Sequence, residues 1–347
     1  MPNASPDGEP DGHHSAASAH GGTAGALLAI GGAEDKLGKR SVLRSFVELA
    51  GGPDARIAVV PTASSLGSEI VEVYDALFRK LGAQEVLAAR PESREEAGDP
   101  DLVRRLDEAT GIFMTGGNQL KLSAIVCGTP VGDAILRAHQ RGAVVAGTSA
   151  GASIQSSHMV AFGVGGATPK QRMTQVAAGL GLVDAAVIDQ HFDQRNRYGR
   201  LLMIVSQSPQ LLGIGVDEDT CGLVEDVDGD TVMRVLGKGA VTIFDGSRMV
   251  SNAYEATRSS PLLASGVVFH TLPADTVFNL TTRELVPQEP SVQREDAEEL
   301  AEAGRDLRQL ARDIAAADAT PAAIRRRLKL RRGSAPQTPA PDHGDHT

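Results

Sequence analysis

Tryptophan is missing from the 347 residues, cysteine occurs only twice, and aromatic side chains make up 3% of the chain. Two thiols, Cys127 and Cys221, cannot build a framework of bridges, and their scarcity suits a reducing, cytoplasmic compartment. No apolar run approaches the ~20 residues that cross a bilayer. Met1 to Gly25 lack the charged-then-apolar order of a secretory signal, so no membrane association is expected. Positive charge is also short. Lys and Arg number 34 against 44 Asp and Glu, a formal net charge of −10, which argues against a nucleic-acid partner. Histidines in ligand-like spacing are absent. Five of the nine (His13, His14, His20, His343 and His346) sit in the terminal stretches, leaving His139, His158, His191 and His270 scattered in the body. Neither a metal nor a cofactor is therefore expected.

What is present is enough for one large α/β domain or two small ones. Residues 1–24 and 333–347 are of low complexity and are expected to be disordered, since they carry too little apolar surface to offset chain entropy. Between them short apolar runs (Ala26–Ile30, Ile57–Val60, Glu85–Ala88, Ile112–Met114, Val144–Ala146) read as buried strands. They alternate with segments of helical period at Val42–Ala50, Ile70–Leu81, Pro100–Asp107 and Val131–Arg141. Such alternation predicts an α/β fold, a mostly parallel sheet sandwiched by helices. From Leu212 the texture changes to strand-like runs at Leu212–Val216, Gly222–Glu225, Thr231–Val235 and Val241–Phe244, read as antiparallel strands at the sheet's end. Val292–Ala317 has an amphipathic helical pattern suited to packing, and Arg325–Arg332 holds six basic residues in eight, read as a solvated charged tail.

The sharpest chemical signal is Gly147-Thr148-Ser149-Ala150-Gly151, directly after an apolar strand. G-x-S-x-G in that place is the pattern of a nucleophile elbow, with Ser149 at the strand's end and the Ala150 N–H free to stabilise an oxyanion. A structural turn is the plainer reading. His191 is the best base, because the polar stretch Ile188-Asp189-Gln190-His191-Phe192-Asp193 is hard to explain as core. Thr115-Gly116-Gly117-Asn118-Gln119, also after a strand, offers Gly117 N–H as a second oxyanion donor and Gln119 as a substrate contact, or is merely a turn. Arg195, Arg197 and Arg200 follow the histidine; they read equally as carboxylate recognition or as the charged start of a helix.

Taken with Gly31-Gly32-Ala33-Glu34-Asp35-Lys36, these motifs together resemble the cyanophycinases, within a serine peptidase group that also contains peptidase E, an aspartyl dipeptidase. The resemblance runs from about Ala26 to Pro287 and makes residues 25–287 the catalytic domain, with 288–332 a helical and Arg-rich extension outside it. It implies a fold similar to class I glutamine amidotransferases and a homodimer. It also implies hydrolysis of cyanophycin, a poly-aspartate bearing arginine on each side-chain carboxyl, to β-Asp-Arg dipeptides. By motif, Ser149 is then the nucleophile and His191 the base, while Gln119, Asp189, Gln190, Arg195, Arg197 and Arg200 surround the substrate.

One departure stands out. The stretch matched to the family's acid reads Gly165-Gly166-Ala167-Thr168-Pro169, with Ala167 at the acid's place. Between Ser149 and His191 the only acids are Asp184 and Asp189; Asp217, Glu218 and a backbone carbonyl are further ways to orient the histidine. A substitute acid or slow turnover is therefore expected. The alternatives to a cyanophycinase are a related Asp-dipeptide or isopeptide hydrolase, or an impaired homologue that binds an Asp/Arg-rich ligand.

Overall fold

The first strands can be apolar at every position because both of their faces are covered. A computed structural model describes residues 24–287, and the expectations for residues 1–23, for Val292–Ala317 and for the basic run Arg325–Arg332 lie outside it. The chain begins as β1 (Leu27–Ile30), α1 (Ser41–Leu49), β2 (Arg56–Val60), α2 (Ser68–Lys80), β3 (Glu85–Ala88) and α3 (Pro100–Glu108). It continues as β4 (Gly111–Met114), α4 (Gln119–Val126), α5 (Pro130–Gln140), β5 (Val144–Thr148) and the single turn α6 (Ala150–Ser153). Within the described residues the predicted strands and helices form to within about two residues at each end.

Successive strand residues point to opposite faces. Leu28, Ile30, Ile57, Val59, Phe113, Val144 and Ala146 meet Val42, Leu43 and Phe46 of α1 and Tyr74 and Phe78 of α2. Within that layer the rings of Phe46, Phe78 and Phe113 lie 5.1–5.5 Å apart, edge-on or tilted as aromatic quadrupoles prefer. Leu27, Ala29, Ala58, Val60, Ile112, Met114 and Val145 face the other way, onto α3, α4 and α5. All three helices start on side-chain caps, that of α5 being Thr129, which accepts from the Gly132 N–H at 3.5 Å. Asp99 accepts from the Asp101 N–H at 2.8 Å, and Asn118 accepts from the Lys121 N–H at 3.1 Å.

After α6 come the hairpin β6 (His158–Gly163) and β7 (Thr174–Ala178), then β8 (Ala186–Gln190), α7 (Tyr198–Gln207) and β9 (Leu212–Val216). The remainder is β10 (Thr220–Val227), β11 (Asp230–Gly237), β12 (Ala240–Asp245), β13 (Val250–Ser251), β14 (Ala264–Ser265), β15 (Val268–Pro273), β16 (Val277–Asn279) and β17 (Glu284–Leu285).

The main sheet runs β17-β16-β11-β10-β1-β5-β4-β2-β3. Its β1-β5-β4-β2-β3 half is parallel, and the other strands join antiparallel, as expected of the C-terminal part. The late strands do not all extend it, however. β9 and β12 form a separate sheet, β15-β12-β9-β8, in which β8 and β9 are parallel with Gln190 opposite Val216. Among the described residues no helix is long and apolar enough to cross a membrane.

Candidate active site

Ser149 sits between β5 and α6 with φ 53° and ψ −107°, a left-handed backbone that costs a non-glycine residue energy. Two contacts hold it there. Its N–H donates to the Ile30 carbonyl at 2.9 Å, and its carbonyl accepts from Ala152 N–H at 3.0 Å. Gly151 permits the turn, since a Cβ there would stand 2.2 Å from the Met114 carbonyl oxygen. The strand thus ends with a hydroxyl projected from the sheet's carboxyl edge.

His191 follows β8, also with positive φ (45°), and its N–H donates to the Gly31 carbonyl at 2.8 Å. Consecutive carbonyls at the end of β1 therefore hold both residues, Ile30 taking Ser149 and Gly31 taking His191. The imidazole packs flat over Gly32, where any Cβ would lie 2.3 Å from its Cε1. His191 Nε2 is 3.0 Å from Ser149 Oγ. On the far side, Nδ1 is 2.6 Å from Glu218 Oε1. A carboxylate only accepts, so Nδ1 carries the proton and Nε2 presents its lone pair to the serine hydroxyl. Burial pushes the imidazole below its ordinary value; the Glu218 hydrogen bond pulls it back in part, and Arg195 pushes it down again. The net shift is downward, which keeps His191 neutral and basic at neutral pH.

Glu218 was one of several acids left open by sequence, and the second sheet explains why it is the one in place. β8 and β9 are in register with Gln190 opposite Val216, so the residues just beyond each strand lie side by side. The other candidates are engaged elsewhere. Asp217 accepts from the N–H groups of Asp193 and Ala240, each at 3.1 Å. Asp189 is fully buried beneath Gln190. Ala167 is exposed, and the carboxylate that meets the imidazole is Glu218. The spacing signal was present in the sequence: three acids, Asp217, Glu218 and Asp219, come directly after the run Leu212–Val216, as His191 comes directly after Ala186–Gln190.

Three of the expected substrate contacts need correction. Arg200 pairs with Asp189 through Nε at 2.6 Å and again through Nη2, and Arg197 Nη1 reaches the same carboxylate at 3.2 Å. Asp189 is 0%, Arg200 3% and Arg197 8% exposed, so both guanidiniums are engaged inside the fold, by that one carboxylate and by the carbonyls of Gln190 and Gly163. Burial pushes the Arg197 guanidinium down to about 10, with Asp189 opposing that shift. Arg195 is exposed.

The two glutamines are brought together as expected. Gln119 Nε2 donates to the Val160 carbonyl at 2.5 Å, and its Oε1 accepts from Gln190 Nε2 at 3.3 Å. That chain fixes both amides and leaves Gln190 Oε1 as an acceptor 3.2 Å from Ser149 Oγ. Gly116 lies against Ser149 and lines the cleft, whereas Gly117 backs onto the Ala63 carbonyl.

The cleft over Ser149 has a volume of about 270 Å³ and is lined also by Gly32, Glu34, Lys36, Tyr74, Thr115 and His191. Sequence reading gave Glu34 and Lys36 no role of their own. Glu34 is buried, accepting from Thr148 Oγ1 and Tyr74 OH, each at 2.6 Å, and from Lys36 Nζ at 2.7 Å. Burial alone would raise its carboxyl, but the Lys36 charge and these hydrogen bonds outweigh it and the net shift is down.

Comparison with known proteins agrees with the motifs. The profile of peptidase family S51 matches residues 27–232. A cyanophycinase from Nostoc sp. is 39% identical over 265 residues, covering 76% of this chain and 88% of its own. A cyanophycinase from Geminocystis herdmanii is 38% identical over 260 residues, covering 74% and 94% respectively. Among solved structures, a peptidase from an acI-B1 actinobacterium aligns with TM-score 0.50 and 23% identity over 72% of this chain and 98% of its own, a likeness of fold.

Proposed function

The chain belongs to peptidase family S51 and is a cyanophycinase-like serine-type peptidase, and from that premise we propose that it cleaves cyanophycin to β-Asp-Arg dipeptides with Ser149 as nucleophile. The observation that carries the reading is the line Glu218–His191–Ser149, with separations of 2.6 and 3.0 Å at a strained strand end.

In this reading Ser149 Oγ attacks the scissile carbonyl while His191 Nε2 takes its proton. Glu218 stabilises the imidazolium that forms and holds the ring in the right tautomer. The Ala150 N–H, at the start of α6, and the Gly117 N–H are the donors assigned to the developing oxyanion. His191 then returns the proton to the departing amine, and a water molecule repeats the sequence on the acyl-enzyme. The Gln119–Gln190 pair borders the nucleophile as a substrate contact. With Glu218 in place there is no structural motive for an impaired homologue.

Incubating the protein with purified cyanophycin and analysing the soluble products tests this. Release of β-Asp-Arg by the wild type and its loss in Ser149→Ala are expected. Turnover of aspartyl dipeptides alone would move the substrate to the smaller class, and binding without cleavage would end the peptidase reading for this chain. We further propose a cytoplasmic homodimer, which sedimentation of the purified protein checks for its oligomeric part.

A further inference from the structure

With Arg197 and Arg200 committed to Asp189, the cleft needs another group to receive a substrate carboxylate. Among the residues lining it beside Ser149 and His191, the permanent cation is Lys36. Its side chain is 33% exposed, against 2% for its partner Glu34, so the ammonium forms the accessible end of an otherwise buried pair.

That ammonium is held in place from several sides. Glu34 accepts one of its three donors at 2.7 Å, and Tyr74 lies beneath it with the ring centroid 5.5 Å from Nζ. The Lys36 backbone is fixed as well. Its carbonyl accepts from Arg40 Nε at 2.6 Å, while Asp35 gathers the N–H groups of Leu37, Gly38 and Arg40 at 2.7–3.2 Å. The Asp35 N–H is itself tied to Asp219 at 2.7 Å. A lysine placed by this much surrounding structure loses little rotamer freedom when it binds. Glu34 could oppose an incoming anion, but both of its oxygens already accept from Tyr74, Thr148 or Lys36 and face away from solvent.

We propose that Lys36 is a specificity-determining residue that binds a substrate carboxylate beside the nucleophile. The proposal rests on the cyanophycin reading, in which two carboxylates could occupy the position: the chain-terminal one or the α-carboxylate of an arginyl branch. Their shared chemistry is a single anionic group within reach of a fixed ammonium.

The test uses a defined β-Asp-Arg oligomer in three forms: free acid, backbone-terminal carboxamide, and arginyl carboxamide. Binding is measured in Ser149→Ala and in Ser149→Ala/Lys36→Met, so that the result does not depend on turnover. The kcat/KM of wild type, Lys36→Met and Lys36→Arg is then compared. With Lys36 present, one amide should bind about 10- to 100-fold more weakly than the acid, the worth of one charge-assisted contact. Lys36→Met should lose that factor on the acid and stop distinguishing acid from amide, while Lys36→Arg should retain most of the distinction. The amide that is rejected names the carboxylate. A merely structural lysine would weaken all three forms alike. Undiminished discrimination in Lys36→Met, tighter binding by that variant, or no acid–amide difference with Lys36 present would overturn the assignment. Failure of the wild type to cleave an oligomer that Ser149→Ala binds with discrimination would overturn the peptidase reading alone.

Discussion

In the proposed reaction Ser149 gives up a proton, His191 takes it and Glu218 stabilises the imidazolium, so each substitution reads out a different part. The imidazole must be neutral to accept the serine proton, and activity is lost as pH falls through its pKa. Because burial holds that pKa below the ordinary histidine value, the acidic limb of kcat/KM should lie below about pH 6.5. Glu218→Gln removes the charge that raises it and leaves at best a weaker, neutral hydrogen bond. The limb should then move to still lower pH while kcat drops on the order of 10³- to 10⁴-fold. A limb that rises, or an unchanged kcat, would remove Glu218 from the reaction. Arg200 calls for a different experiment. Arg200→Ala removes two of the three guanidinium hydrogen bonds to the buried Asp189 carboxylate, and a hydrogen bond to a charged group contributes about 1.5–3 kcal/mol. A large drop in melting temperature, preceding any effect on KM, is expected from thermal unfolding. Preserved stability with a raised KM would return the arginine to the substrate.

At the scale of elements, the turn from β5 into α6 couples packing to chemistry. Gly151→Ala drives a methyl group toward the Met114 carbonyl, and overpacking of this kind costs about 1–3 kcal/mol. The strain falls on the four-residue turn that carries Ser149 and Ala150, so kcat should fall more steeply than stability. Equal losses would mean that the turn yields without moving the serine. These first elements were readable from the chain because each strand is covered on both faces and each helix on one, which leaves periods of apolar residues to follow. The later part was less readable. β9 has the same apolar texture as a strand of the main sheet, and nothing in its composition says that it pairs with β8. Without that pairing Glu218 could not be separated from Asp217 and Asp189. Arginines after a histidine also read alike whether they face a ligand or an internal carboxylate, since burial is decided by the packing of α7 and β8 and not by residue type.

Across the whole molecule, every residue of the candidate site precedes Pro287. A chain ending at that residue should keep most of its hydrolysis of cyanophycin, and complete inactivity of a folded truncation would show that residues 288–347 complete the site. The carbonyls of Ile30 and Gly31, at the end of β1, carry a wider consequence. Ile30 is bonded to the serine of the nine-stranded sheet and Gly31 to the histidine of the four-stranded one, so the reacting pair spans a boundary between separately hydrogen-bonded ladders. Small relative displacement of the sheets would part Oγ from Nε2 without breaking a single ladder. Catalysis then acts as a gauge of inter-sheet alignment, more sensitive than any signal that counts secondary structure. During a urea titration, hydrolysis should vanish at concentrations where the far-ultraviolet circular dichroism is still native, and return at once on dilution.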